Sequence, residues 1–359
     1  MKNKKLLVLC MGIMLSAVGL LLWDGYSSLQ HNDGAMVETQ AQNHHEAHDH
    51  GHEHRTAPVR NSSSIDFPIQ PVPPESVDKD LARLGWVLFR DPNLSSNKQI
   101  SCESCHELTT SGSDPRPLSV GVNGLGKRNS LTVFNVSDNY RFFWDGRVNT
   151  LEDQIDGPVH EPFEMDTDWK SIVEYTSSSS RYKELFERVS LSPSESSVKQ
   201  ALVEFMRSLK TLNAPFDRYI AGDASAIDDS AERGWQAFQS LGCIGCHRGS
   251  NVGGGMVMQF GYFGLETRGA ERSKDLGRFS VTSKQEDKHL FRVASLRNVA
   301  VTAPYFHDGQ TAQLEDAIMI MARSQLGKEL EPGTVNDIKA FLVSLTGERP
   351  SILGELEND

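Results

Sequence analysis

Ser101-Cys102-Glu103-Ser104-Cys105-His106 decides how this chain is read, and Cys243-Ile244-Gly245-Cys246-His247 repeats its pattern. C-x-x-C-H is the attachment signature of a c-type haem. Two thiols at that spacing reach the two vinyl groups of one porphyrin, and the next histidine is carried under the ring to bind iron. Two motifs predict two covalent haems, one on His106 and one on His247. A single zinc shared by two C-x-x-C pairs would need them about 15–20 residues apart; these lie in different halves of the chain. A thioredoxin-like dithiol would follow a strand in a βαβ pattern, which is absent here. Neither alternative explains a histidine after each pair.

At 359 residues the chain has room for about two domains. Its net charge of −12 argues against nucleic acid and suits a basic or dipolar redox partner. Four of the five cysteines are used by the motifs, and the fifth, Cys10, lies in an apolar N-terminal run, so no structural disulfide is expected. That run, Leu6–Trp23, follows Lys2, Lys4 and Lys5. Its roughly 18 residues would span about 27 Å as a helix, enough to cross a bilayer. The lysines should stay in the cytoplasm and the remainder be exported. Bacterial haem attachment outside the cytoplasm agrees with this address. No convincing small-x-small cleavage site follows, so residues 1–24 are expected to anchor the protein in the inner membrane. A cleaved signal peptide and a soluble periplasmic protein form the alternative. Residues 25–66 are polar and aperiodic, a disordered linker. Within it His44–His54 carries donors for Zn, Cu or Ni; it reads as a tether with incidental metal affinity.

Apolar residues at helical spacing predict helices over Asp80–Phe89, Ser197–Leu212, Glu232–Leu241, Gln313–Ala322 and Thr334–Leu345. Strand signals are few, and Gly-, Ser- and Pro-rich connections fill 107–130 and 248–288. The expected fold is mainly α. One cytochrome c-like domain spans 67–220 and a second 221–347, with a C-terminal tail over 348–359. The seam falls near Asn213–Asp229, where Ala214-Pro215 interrupts the helices.

Several separate blocks, in order, resemble the bacterial diheme cytochrome c peroxidases over about residues 67–348. They are Leu84-Gly85-Trp86-Val87-Leu88-Phe89-Arg90-Asp91-Pro92, Phe143-Trp144-Asp145-Gly146-Arg147, Pro215-Phe216-Asp217-Arg218-Tyr219, Leu296-Arg297-Asn298-Val299 and Thr302-Ala303-Pro304-Tyr305-Phe306-His307-Asp308-Gly309. The resemblance implies a peroxidatic haem on Cys102, Cys105 and His106. It implies a high-potential electron-entry haem on Cys243, Cys246 and His247, with Met321 as sixth ligand. Histidine with methionine favours ferrous iron; Met319, Met256 and Met258 are the rival sulfurs. It implies Glu164 as the acid/base of peroxide cleavage, Gln154 beside it, and Trp144 between the haems. It also implies one calcium on the Asn129 side chain and the Thr302 and Pro304 carbonyls, oxygen donors that suit that ion. His307 would orient a haem propionate or water.

One departure stands out. Many members of the family carry a distal histidine where this chain has Val122, and no histidine occurs between His106 and His160. Valine cannot ligate iron, so the first haem is expected to have an open sixth position without reductive activation. His160 is the nearby substitute. The resemblance therefore implies reduction of hydrogen peroxide to water, with electrons from a small periplasmic cytochrome c or cupredoxin. They enter at the second haem and pass to the first. The family is often dimeric. Two other readings stay open: peroxide-dependent oxidation of a protein partner, as in the related methylamine-utilisation diheme enzymes, and a non-catalytic diheme electron carrier. Met321 weighs against the former, since those enzymes place a tyrosine there; Val122 weighs against the latter.

Overall fold

Helices begin where short polar side chains can cap them. In the computed structural model, which describes residues 68–264, 272 and 274–358, Asp78 accepts from the Asp80 and Leu81 amides and starts α1 (Lys79–Phe89). Thr150 caps α2 (Leu151–His160), and Asp168 caps α3 (Trp169–Ser178), which runs into α4 (Ser180–Arg188). A Ser194/Ser197 capping box opens α5 (Glu195–Ser208). The helices break between α5 and Pro215, as the sequence predicts. Pro215 is the first residue of α6 (Pro215–Ile220), a position where its missing N–H costs nothing. Asp228 caps α7 (Asp229–Ser240). After the short α8 (Phe279–Thr282) come α9 (Leu314–Leu326), closed by Gly327 in the left-handed region, and α10 (Pro332–Ser344). The expected terminal tail instead holds α11 (Ser351–Asn358). Among the described residues the strands form two short antiparallel pairs, β1 (Val120–Gly121) with β2 (Gly124–Leu125), a hairpin, and β3 (Val257–Gln259) with β4 (Leu290–Arg292). The chain is mainly helical.

Two apolar clusters carry the packing. The first gathers Leu84, Leu88, Phe89, Tyr182, Phe186, Phe205 and Leu209, and α11 adds Ile352, Leu353 and Leu356. The tail is thus a packed element, because its three apolar residues share one face. The second gathers Phe216, Trp235, Phe238, Leu314, Ile318, Ile338, Phe341 and Leu342. Phe216 lies before the expected boundary at 220, and Ile69, near the start of the described chain, also packs here. In each cluster the helix before the haem motif crosses a later helix, α1 on α5 and α7 on α10. Both crossings are closed by a glycine. A Cβ on Gly85 would stand 1.9 Å from the Ala201 carbonyl oxygen, and one on Gly234 would stand 1.9 Å from that of Asp337.

The halves share more than this crossing. Phe143-Trp144-Asp145-Gly146 and Phe306-His307-Asp308-Gly309 each precede, at equal spacing, a Leu-Glu-Asp start to a helix, α2 and α9. Phe143 and Phe306 both have positive φ, as do Gly146 and Gly309. Antiparallel bridges Phe142–Val148 and Tyr305–Thr311 close the two turns. Asp145 pairs with Arg128 at 2.7 Å and Asp308 with Arg272 at 2.8 Å. The chain therefore folds one plan twice.

The expected anchor over 1–24 and the His-rich linker over 25–66 lie outside the described residues. Among the described residues no helix is long and apolar enough to cross a membrane.

Candidate active site

Both C-x-x-C-H segments form a single 3₁₀ turn after a short cap, Cys102–Ser104 and Cys243–Gly245. Each turn puts its two sulfurs and the following imidazole on the wall of one cavity of 1490 Å³. Cys102, Cys105, His106, Cys243, Cys246, His247 and Met321 all line it, as do Glu164, Gln154, Trp144, Asn129, Thr302 and Pro304. Thus residues picked from five separate blocks of sequence meet round one space.

Its walls fit two haems. His247 Nδ1 lies 3.4 Å from the Val252 carbonyl. Donation there leaves Nε2 as the free lone pair, the arrangement that prepares a histidine for iron. Burial pushes the His247 pKa down to about 4, and lowers that of His106, which favours the neutral rings that iron would need. Burial also pushes the Cys102 thiol up to about 12 and Cys243 to about 11. That wall disfavours thiolates and accommodates uncharged thioethers. Met321 packs with Phe260, Phe291, Ile320 and Trp144 in a small apolar cluster of its own. Of its rivals, Met258 also lines the cavity, but it is 42% exposed.

Trp144 is held rather than merely packed. Its Nε1 donates to the Asn129 carbonyl at 2.8 Å, its own carbonyl accepts from the Arg292 amide at 2.7 Å, and its ring meets His307 edge-on. His307 is buried, stacks on Phe291 at 4.2 Å, and has no hydrogen-bond partner for Nε2 among the described residues. The Asn129 amide nitrogen donates to the Arg116 and Pro117 carbonyls, which turns its oxygen away from them. No backbone hydrogen bond occupies the Thr302 or Pro304 carbonyl among the described residues. These are free oxygens of the kind calcium takes. Among the described residues no trio of His, Cys, Asp or Glu is placed to hold a metal, so an ion there would rest on amide and carbonyl oxygens.

Glu164 sits on the turn after α2. Burial raises its pKa, and the negative charge of Glu161 adds to the effect. Its backbone carbonyl accepts from the Val122 amide at 2.9 Å, and Asn123 Nδ2 donates to the Pro162 carbonyl at 2.7 Å and to Asp166 at 3.0 Å. The hairpin tip Val122-Asn123 thus braces the turn that bears Glu164. Val122 itself does not line the cavity, and neither does His160, whose Nδ1 pairs with the Thr167 carbonyl at 3.1 Å. The lining histidines are His106, His247 and His307. In the repeated plan the position of Met321 on α9 is taken on α2 by Pro158, which lines the cavity and offers no donor atom. Sequence reading missed Pro158 and Asn123; the paired Leu-Glu-Asp helix starts were the signal for the first.

Comparisons with known proteins give the family. A family model described as di-haem cytochrome c peroxidase matches residues 79–225. The cytochrome c551 peroxidase of Pseudomonas aeruginosa is 40% identical over 284 residues, 77% of this chain and 82% of that protein. The chain belongs to the di-haem cytochrome c peroxidase family. It is an enzyme, an oxidoreductase acting on peroxide, and the family brings two haems and a redox partner. The methylamine utilization protein MauG of Methylophilus methylotrophus is 33% identical over 284 residues, 74% of this chain and 82% of that one. A crystal structure of a MauG-like protein associated with microbial copper homeostasis superposes with a TM-score of 0.67 at 25% identity, over 82% of this chain and 96% of that one.

Proposed function

We propose that the protein reduces hydrogen peroxide to two waters, using two electrons from a small periplasmic cytochrome c or cupredoxin and two protons from solvent. Each half of the repeated plan would hold one haem. A haem held by Cys102, Cys105 and His106 would supply the iron for peroxide reduction. Glu164 takes the proton from the near oxygen and returns it to the leaving oxygen, a transfer suited to a carboxyl whose pKa lies above the ordinary range. Gln154, on the first turns of α2, orients the peroxide. A second haem, which Cys243, Cys246, His247 and Met321 would hold, would be the point of electron entry. The exposed side chains of Met258, Tyr262, Phe263 and Val281 rim the cavity beside α9 and form an apolar landing there. Trp144 stands on the path to the first motif. Calcium on Asn129, Thr302 and Pro304 would stiffen the wall that carries the Trp144 hydrogen bond. The export signal, and the anchor if it is retained, place this chemistry outside the cytoplasm at the inner membrane.

The observation that carries the reading is the contrast between the two helices: Met321 on α9 and Pro158 on α2, with no histidine at 122. It supports an always open first haem. The test is peroxide turnover by fully oxidised holoprotein with reduced cytochrome c and no pre-reduction. Immediate turnover is expected; turnover only after pre-reduction would mean that another side chain caps the iron. Oxidation of a protein partner is a second reading, favoured by the same open position and by the likeness to MauG; Met321 stands against it.

A further inference from the structure

Arg292 ends β4, is 4% exposed and lines the cavity. Its neighbours on that wall are paired: Arg128 with Asp145 and Asp275, Arg147 with Asp145, and Lys127 with Glu161. Arg292 forms no ion pair among the described residues. Its Nε donates to the Phe143 carbonyl at 3.2 Å and its Nη1 lies 3.5 Å from Ser295 Oγ, both neutral acceptors. Burial without a compensating anion pushes its pKa down to about 10, still far above neutrality, so the group is charged. An uncompensated buried cation is costly, and its placement on a cavity wall calls for an anion inside the cavity.

We propose that the Arg292 guanidinium pairs with a propionate of the second haem and so helps set that haem's potential. Three observations choose the second haem. β4 pairs with β3, which follows directly on the loop of the second motif. Ala294, two residues on, offers its carbonyl to the His247 ring, and Phe291, the residue before, packs with Met321. A planar guanidinium offers a carboxylate two parallel donors, and Nη1 and Nη2 remain for it once Nε is used. The pair neutralises a negative charge near the iron, which makes the ferrous state easier to reach. The amide of the same residue donates to the Trp144 carbonyl, so one residue ties the haem edge to the indole.

The proposal rests on two haems being bound, not on the peroxide chemistry, and its test reads potential rather than turnover. Arg292→Met and Arg292→Lys holoproteins are titrated potentiometrically, and the methionine-to-iron charge-transfer band and the two-haem content are recorded alongside. Arg292→Met is expected to lower the second haem's midpoint potential while Met321 ligation persists and the first haem's potential stays put. Arg292→Lys, which keeps the charge and most of the volume, should recover most of the shift, and it keeps the test alive should the methionine variant fail to fold. An unchanged second potential in Arg292→Met, a Lys variant no closer to wild type than the Met variant, or a shift confined to the first haem would overturn the assignment.

Discussion

Glu164 shows how surroundings change an ordinary residue. In sequence it is one carboxylate among 48 acidic residues; in the fold it lines the haem cavity with a raised pKa. Glu164→Gln is expected to cut peroxide turnover by about 10²–10⁴-fold, with both haem spectra retained. In the proposed role of proton acceptor Glu164 must be ionised. Its raised pKa therefore puts the acid limb of kcat/KM above the ordinary carboxylate range, so activity rises with pH through that limb, and the Gln variant should lose it. Asn123 should act through Glu164. Its amide donates to two acceptors, so Asn123→Asp, which sets a carboxylate against Asp166, is expected to lower turnover and displace the same limb, whereas Asn123→Gln restores a donor. Trp144→Phe removes the indole N–H and its bond to Asn129. Stopped-flow reoxidation of the second haem by peroxide should slow in this variant, while peroxide binding at the first stays unchanged.

The elements explain why two small residues matter as much as the large ones. Gly85 and Gly234 let α1 and α7 touch the backbones of α5 and α10. Alanine at either site forces the helices apart. Overpacking costs typically about 1–3 kcal/mol, and a clash with a carbonyl rather than a flexible side chain puts these at the upper end. Thermal unfolding followed at the haem bands would show it. α11 offers a second check. Ile352, Leu353 and Leu356 are each buried in the first cluster, at about 1.5–3 kcal/mol per fully buried side chain. Truncation before Ser351 should lower the melting temperature of the holoprotein while leaving the second haem's potential in place. The α1/α5 and α7/α10 helices were legible from apolar spacing. α2, α3 and α4 were not, because each is short and buries only two or three side chains, so its place as a helix is decided by the core it meets.

At the scale of the molecule, the acidic surface bears on the donor. With a net charge of −12, a basic cytochrome c should be steered electrostatically, so kcat/KM for the donor falls as salt shortens the Debye length, which is about 10 Å at 0.1 M. A neutral donor should show little salt dependence. The kcat at saturating donor should change far less, since electron transfer inside the protein is not screened by bulk salt.

Two haems, the family and the missing histidine were determined by the sequence alone, because covalent attachment needs adjacent residues and a ligand's absence is visible in any row of letters. The tertiary structure decided what meets across distance: that Glu164, Gln154, Trp144 and Asn129 share one cavity with both motifs, that α11 belongs to the first core, and that Arg292 lines that cavity with no acid paired to it among the described residues. Those facts depend on which surfaces are removed from water together, and burial is a property of the fold that no local run of residues contains.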